Sequence, residues 1–258
     1  MLNKIHVENC LDTMKRMPDE FVDLVVTSPP YDNLRTYNGY SFDFESIAAE
    51  LFRVVKPGGV IVWVVNDSIN KGSKTGTSFK QALHFMSLGF NLHDVMIWQK
   101  PNYAPMFPTL KRYDQNFEYM MIFTNGSPVT WNPIKDKPKA ASSLARLKYG
   151  ITYAKPDGSR SIAKVVDNSG TLSKRTALWV VPNGQKRGLK HPAVFPESLA
   201  SDHIVSWSNK GDVVYDPFMG SGTTAIAAVK LGRRWLGSEI SQEYVEIALK
   251  RLQDFVGD

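Results

Sequence analysis

Cysteine is nearly absent: among 258 residues only Cys10 carries a thiol. A disulfide framework and a cysteine-rich zinc site are therefore excluded, and a lone thiol fits a reducing compartment. Long apolar runs are lacking too. The longest, Val60-Ile61-Val62-Trp63-Val64-Val65, is far too short to span a bilayer, so no membrane partner is expected. Lys4, His6 and Glu8 precede any apolar stretch, which is not the pattern of a secretory signal. A cytoplasmic location is the expectation. The histidines His6, His84, His93, His191 and His203 show no metal-like pairing, and no metal site is predicted.

What is present is a chain with 43% hydrophobic residues, long enough for one substantial core, in which short β-branched runs alternate with helical patterns. That alternation predicts an α/β fold, a doubly wound and mostly parallel sheet, rather than an all-β one. Two segments carry most of the chemistry. Leu24-Val25-Val26 runs into Thr27-Ser28-Pro29-Pro30-Tyr31, and Val213-Val214-Tyr215 runs into Asp216-Pro217-Phe218-Met219-Gly220-Ser221-Gly222-Thr223-Thr224. Each is expected where a buried strand delivers its carboxyl end, which is where open α/β sheets bind ligands.

In the second segment Gly220 and Gly222 allow positive φ and leave no Cβ, so a ligand can lie against the backbone. Thr223 and Thr224 are expected to cap the helix that follows. No Gly-Lys-Ser/Thr follows, which argues against a P-loop. Glu239 ends the next short strand, Trp235-Leu236-Gly237-Ser238-Glu239-Ile240, about 20 residues past the glycines, where dinucleotide folds place a carboxylate on ribose hydroxyls. In the first segment two prolines stop helix and strand alike and hold the carbonyls of Ser28 and Pro29 in a stiff turn. Stiff acceptors suit recognition of an amino group, and Tyr31 adds a face on which a planar ring can stack.

With these residues the chain resembles the S-adenosylmethionine-dependent DNA amino-methyltransferases. Ser28-Pro29-Pro30-Tyr31 matches their catalytic motif, and Asp216 to Thr223 matches their Asp-Pro-Phe-x-Gly-Ser-Gly-Thr cofactor motif at every fixed position. The catalytic motif comes first, as in the circularly permuted beta group. The resemblance implies a Rossmann-like class I methyltransferase core over residues 1–130 and 186–258, with a target-recognition region over 131–185. Ser28, Pro29, Pro30 and Tyr31 are the implied catalytic residues. Asn9, Cys10, Thr27, His191, Pro192, Asp216, Phe218, Gly220, Ser221, Gly222, Thr223 and Glu239 are the implied residues around S-adenosyl-L-methionine. Serine before the prolines resembles the N4-cytosine enzymes more than the N6-adenine enzymes, and N6-adenine methylation is the alternative. A silent DNA-binding protein and an RNA or protein amide methyltransferase are the more distant ones. With Cys10 as the single thiol, methylation at cytosine C5, which needs a cysteine nucleophile, is disfavoured.

Charge points to the partner. Residues 131–190 hold thirteen basic residues against three acids, a surplus of ten in a chain whose net charge is +6, so the remainder carries −4. A cationic, Ser/Gly/Pro-rich stretch between the two motifs predicts contact with the phosphates of double-stranded DNA. Arg146, Lys148, Arg160, Lys174 and Arg175 are candidates there, with Arg35 and Tyr37 after the catalytic motif and Lys71 and Lys74 in a polar loop. A base stacked in a duplex cannot reach such a pocket, so base flipping is expected. The resemblance further brings in a homodimer and a cognate restriction endonuclease as candidate partners; the residues themselves leave both open.

Overall fold

A computed structural model describes residues 1–30, 42–103, 111–139, 151–163, 171–183 and 196–256. Two compact units emerge, Met1–Asn132 with Ala177–Asp258, and Pro133–Thr176. In chain order the first half of the larger unit holds β1 (Lys4–Val7), α1 (Cys10–Lys15), β2 (Val22–Thr27), α2 (Phe44–Val54), β3 (Val55–Val65), β4 (Ile69–Asn70), β5 (Ser73–Lys74), α3 (Thr77–Leu88), β6 (Asn91–Gln99) and β7 (Phe117–Thr124). The smaller unit contains two hairpin-like pairs. One joins β8 (Lys135–Pro138) to β11 (Leu172–Lys174), and the other joins β9 (Ile151–Ala154) to β10 (Arg160–Ala163). The larger unit resumes with β12 (Leu178–Val180), α4 (Glu197–Trp207), β13 (Val213–Asp216), α5 (Thr223–Lys230), β14 (Arg234–Glu239) and α6 (Gln242–Val256).

The main sheet has eight strands in the order β1-β14-β13-β2-β3-β7-β6-β12. Only β7 runs against its neighbours, so the sheet is mostly parallel, as the alternating pattern predicted. Its central strands are buried from end to end: all of β13 and nearly all of β2 and β3. Continuous β-branched runs suit that position because both faces are covered. On one face Met14, Ile47, Leu51, Ala82 and Phe85 from α1, α2 and α3 pack with Val25, Ile61, Trp63 and Tyr215.

One buried polar bond ties that core together. Trp63 is fully buried, and its Nε1–H donates to Gln81 Oε1 of α3 at 2.9 Å. Gln81→Leu leaves that indole donor without a partner, and the expected cost is about 1–3 kcal/mol, read from the shift in a denaturant midpoint.

The order of strands places the site. From β2 the chain passes through α2 to β3 on one side, and from β13 through α5 to β14 on the other, while β13 and β2 are direct neighbours with Val214 opposite Leu24 and Tyr215 opposite Val25. This is the switch point of the sheet, where a crevice opens beyond the carboxyl ends of the strands. One departure from the sequence reading stands out. Strand β12 comes from the stretch assigned to the insert yet pairs in parallel with β6. Residues 55–59 form the start of β3, with Gly58 at φ 78 beside Val129. Helix α4, which leads to β13, starts at Glu197 with Pro196 as N-cap. Among the described residues no helix is long and apolar enough to cross a membrane.

Candidate active site

The two sequence segments meet through a buried carboxylate. Asp216 closes β13 at 1% exposure, and Thr27 closes the neighbouring β2 fully buried. Thr27 Oγ1 donates to Asp216 Oδ1 at 2.6 Å and Thr224 Oγ1 donates to Asp216 Oδ2 at 2.7 Å. The Phe218 amide adds a third donor to Oδ1 at 3.0 Å. Thr224 Oγ1 also lies 3.2 Å from the carbonyl of Val26, so one hydroxyl touches both strands. Burial pushes the Asp216 carboxyl up to about 6, against the pull of the Thr27 and Thr224 hydroxyls and the Phe218 amide. Ser28 follows Thr27 directly. It is partly exposed at the crevice, with Pro29 buried behind it and Pro30 partly exposed.

The glycine turn is shaped by its backbone. Gly220 and Gly222 take φ of 51 and 81, in the left-handed region that favours glycine. The turn closes on itself through Gly222 N–H to the Met219 carbonyl, and Met219 N–H reaches the Ser238 carbonyl of β14. Its rear is sealed by α6. A Cβ on Gly222 would fall 2.9 Å from Ala248 Cβ, and Arg251 Nη1 donates to the Ser221 carbonyl and, at 3.0 Å, to Ser221 Oγ. Burial holds the Arg251 guanidinium below its ordinary pKa.

Glu239 sits at the mouth of the same turn, at 9% exposure. Its Oε2 accepts the Gly220 amide at 2.8 Å and its Oε1 the Ser241 amide at 2.9 Å. Burial raises its pKa, and the two amides oppose that shift. Asn9 and Cys10 lie at the next strand end, since Val7 pairs with Glu239 and Glu8 N–H donates to the Glu239 carbonyl. Asn9 is the N-cap of α1, accepting Leu11 N–H at 2.9 Å. Cys10 is buried, and desolvation pushes its thiol up to about 12, so it is protonated and not nucleophilic at neutral pH. Phe218 packs edge-on to Phe42 and Trp63, at centroid distances of 5.7 and 6.2 Å.

Helix α5 corrects one expectation. Its N-cap is Gly222, with no side-chain cap, and neither threonine caps it: Thr224 turns inward to Asp216, and Thr223 Oγ1 is buried without a hydrogen-bond partner among the described residues. An uncapped first turn and an orphaned buried hydroxyl beside two glycines are what a small polar ligand lying on this loop needs. The donor set fits a nucleoside-type cofactor: a carboxylate for hydroxyls, backbone amides, a free hydroxyl and a flanking aromatic ring.

Comparison with known proteins decides the family. The family described as DNA methylase, the N6/N4 methyltransferases, matches residues 22–250. The chain belongs to this N6/N4 DNA methylase family. The methylase is 51% identical over 246 residues to the orphan methyltransferase M.BamHII of Bacillus amyloliquefaciens, covering 91% of this chain and 90% of that one. In fold the methylase is similar to the PvuII DNA methyltransferase (cytosine-N4-specific), with a TM-score of 0.71 and 21% identity over 96% of this chain and 86% of that one. A second similar structure is TTHA0409 from Thermus thermophilus, complexed with S-adenosyl-L-methionine, with a TM-score of 0.65 and 26% identity over 98% of this chain and 95% of that one.

Of the residues singled out in the sequence of the methylase, the structure brings Asn9, Cys10, Thr27, Ser28, Pro29, Pro30, Asp216, Phe218, Gly220, Ser221, Gly222, Thr223 and Glu239 to one edge of the main sheet. Tyr31, Arg35, Tyr37, Arg146, Lys148, His191 and Pro192 lie outside the described residues. Lys71 and Lys74 belong to the larger unit, and Arg160, Lys174 and Arg175 to the smaller one, where Arg175 is ion-paired to Asp136 at 2.6 Å. Sequence reasoning missed Arg251 and Ala248. An arginine on an amphipathic helix reads as a solvated residue until the turn it braces is known.

Proposed function

We propose that this DNA methyltransferase uses S-adenosyl-L-methionine to methylate the exocyclic N4 of a cytosine extruded from double-stranded DNA. The observation that carries the reading is the 2.6 Å bond from Thr27 Oγ1 to Asp216 Oδ1, which fixes Ser28 beside the glycine turn. The cofactor supplies an electrophilic methyl sulfonium when bound. Glu239 would hold its hydroxyls, and the Gly220–Thr223 turn its polar end, with the Thr223 hydroxyl as a donor that has no other partner among the described residues.

The protein's own work is alignment. An exocyclic amine is a poor nucleophile because its lone pair is delocalised into the ring. The Ser28 hydroxyl oxygen and the Pro29 carbonyl accept its two hydrogens, which favours a pyramidal nitrogen and aims the lone pair at the glycine turn. Neither acceptor is a base at neutral pH, so the amine keeps its proton until the methyl has moved. The stiffness of the proline pair keeps both acceptors in place without rearrangement. A neutral hydroxyl suits the cytosine amine, and this is the ground for N4 over N6. The Pro133–Thr176 unit, with its basic composition, supports a role in reading the duplex.

A labelling experiment tests the assignment. Unmethylated duplex is incubated with methyl-labelled cofactor and digested to nucleosides, and label is expected in N4-methyldeoxycytidine; label confined to N6-methyldeoxyadenosine refutes the cytosine reading. Ser28→Ala is expected to slow transfer roughly 10²–10³-fold with duplex and cofactor affinities unchanged. Full activity in that variant removes Ser28 from the catalytic role.

A further inference from the structure

Two loops at the catalytic edge of the larger unit carry cations that form no ion pair among the described residues. Strand β3 runs parallel to β2 with Trp63 opposite Thr27, and it ends at Val65, so the chain that follows leaves the sheet on the side of Ser28. There β4 and β5 pair as a two-residue hairpin, Ile69 opposite Lys74 and Asn70 opposite Ser73. Lys71 and Gly72 form its tip with φ of 47 and 80, both left-handed, as in a type I′ turn whose twist matches the paired strands. An ordinary side chain in that conformation at the tip is costly, and it fixes where Lys71 points from.

The hairpin is fastened at its base and along one side. Asp67 accepts from Ser78 N–H at 2.8 Å and from Ser78 Oγ at 2.9 Å, so its carboxylate is spent on the start of α3. The loop before β7 closes over the hairpin. Gln115 Nε2 donates to Asn66 Oδ1 at 2.7 Å, Arg112 Nη2 donates to the Gly72 carbonyl at 2.6 Å, and Lys74 Nζ donates to Gln115 Oε1 and, at 3.3 Å, to the Asp67 carbonyl. Among the described residues, none of Lys71, Lys74, Lys111 and Arg112 forms an ion pair, although all four are exposed. Burial and the nearby charge of Arg112 hold the Lys74 ammonium below its ordinary pKa, with Asp67 opposing them. Like charges are thus held together rather than dispersed. Beside them Tyr113 is 99% exposed, a large ring left fully in water next to the cations.

We infer that this hairpin-and-loop platform binds backbone phosphates of the DNA that flank the base presented to Ser28, with Lys74 and Arg112 as the phosphate contacts; the inference rests on the DNA methyltransferase reading above. Preformed cations held by hydrogen bonds lose little freedom on binding an anion, and charge-assisted bonds to phosphate are among the strong ones. Phosphate contacts set position rather than sequence, so the platform fixes register on the duplex and leaves base readout to other residues.

The test is the salt dependence of duplex binding by the full chain. For Lys74→Gln with Arg112→Gln, the slope of log Kd against log salt is expected to fall by about 1–2, with affinity near 0.1 M salt weakened about tenfold on any duplex sequence. Binding of S-adenosylhomocysteine should be unchanged, which shows that the variant is folded at its cofactor site. The pair Lys74→Arg with Arg112→Lys should keep the wild-type slope. A double glutamine variant with wild-type slope and affinity overturns the platform alone. A wild-type protein that neither binds nor methylates duplex DNA overturns the functional reading with it.

Discussion

Asp216→Ala is expected to abolish measurable methyl transfer, whereas Asp216→Asn is expected to keep the fold, raise the melting temperature at pH 8 and slow transfer ten- to a hundredfold. Alanine leaves the Thr27 and Thr224 hydroxyls buried without their acceptor and opens a small cavity, an expected loss of about 2–4 kcal/mol. It also frees the end of β2, and a displacement of about 1 Å at Ser28 can cost a factor of about 10² in rate. Asparagine keeps the shape. Its oxygen still accepts from Thr27, and its amide can donate to Thr224 Oγ1 while that hydroxyl turns to the Val26 carbonyl, already 3.2 Å away.

The charge is what changes, and its effect has a definite sign. The ordinary carboxylate value of 3.8 is raised to about 6 by burial. Between those values the folded protein holds a proton that the unfolded chain has lost. This side chain therefore stabilises most below about pH 4, and that contribution is lost as pH rises through about 6; at pH 8 the ionised group costs about 3 kcal/mol relative to the neutral one. Melting curves from pH 4 to 8 should show the wild type losing ground to Asp216→Asn across this window. A constant difference between the two proteins, or an asparagine variant with full activity, contradicts the role given to the carboxylate.

Gly222→Val is expected to weaken cofactor binding at least 100-fold and to destabilise the fold by about 2–4 kcal/mol. Two costs add. The residue sits at φ 81, where a β-branched side chain is strongly disfavoured, and its Cβ would lie 2.9 Å from Ala248 Cβ and 3.3 Å from Ala248 Cα. Helix α6 cannot yield at a backbone atom, so the turn must shift toward the crevice. Gly72, also at positive φ but with open space around it, provides the control: Gly72→Ala meets the conformational cost without the clash, and cofactor affinity is expected to be unchanged. Calorimetric titration with S-adenosylhomocysteine reads both variants. Equal losses at the two positions would mean that strain alone, rather than the packing of α6 on the turn, sets the effect.

Much of this site was legible because its parts are local. The β-branched runs before Thr27 and Asp216 announced buried strands, the paired glycines announced a positive-φ turn, and Glu239 stood at the spacing that brings a carboxylate to that turn. What joins the parts was not legible. The bond from Thr27 to Asp216 spans 189 positions, and no spacing rule connects a threonine before a proline turn to an aspartate that long after it. Strand β12 was hidden for another reason: its three residues alternate exposed Leu178, buried Trp179 and exposed Val180, too little to distinguish an edge strand from a loop. Only pairing with β6 defines it, and such pairing depends on tertiary context more than on intrinsic preference. Local chemistry favours the threonines after Gly222 as caps, but the buried Asp216 carboxylate outcompetes the helix for Thr224.

The insertion of β13 between β2 and β14 has a consequence for how the molecule comes into being. The first 65 residues can lay β2 beside β3, but the other edge of β2 waits for residues 213–216, and the turn that faces Ser28 arrives later still. Synthesis therefore proceeds for most of its duration with a hydrophobic strand edge uncovered and no means of modifying DNA. Such a pairing between distant segments is slow to form and leaves the nascent chain open to mispairing. The sheet closes only once the last fifth of the sequence, from Val213 onward, has been made.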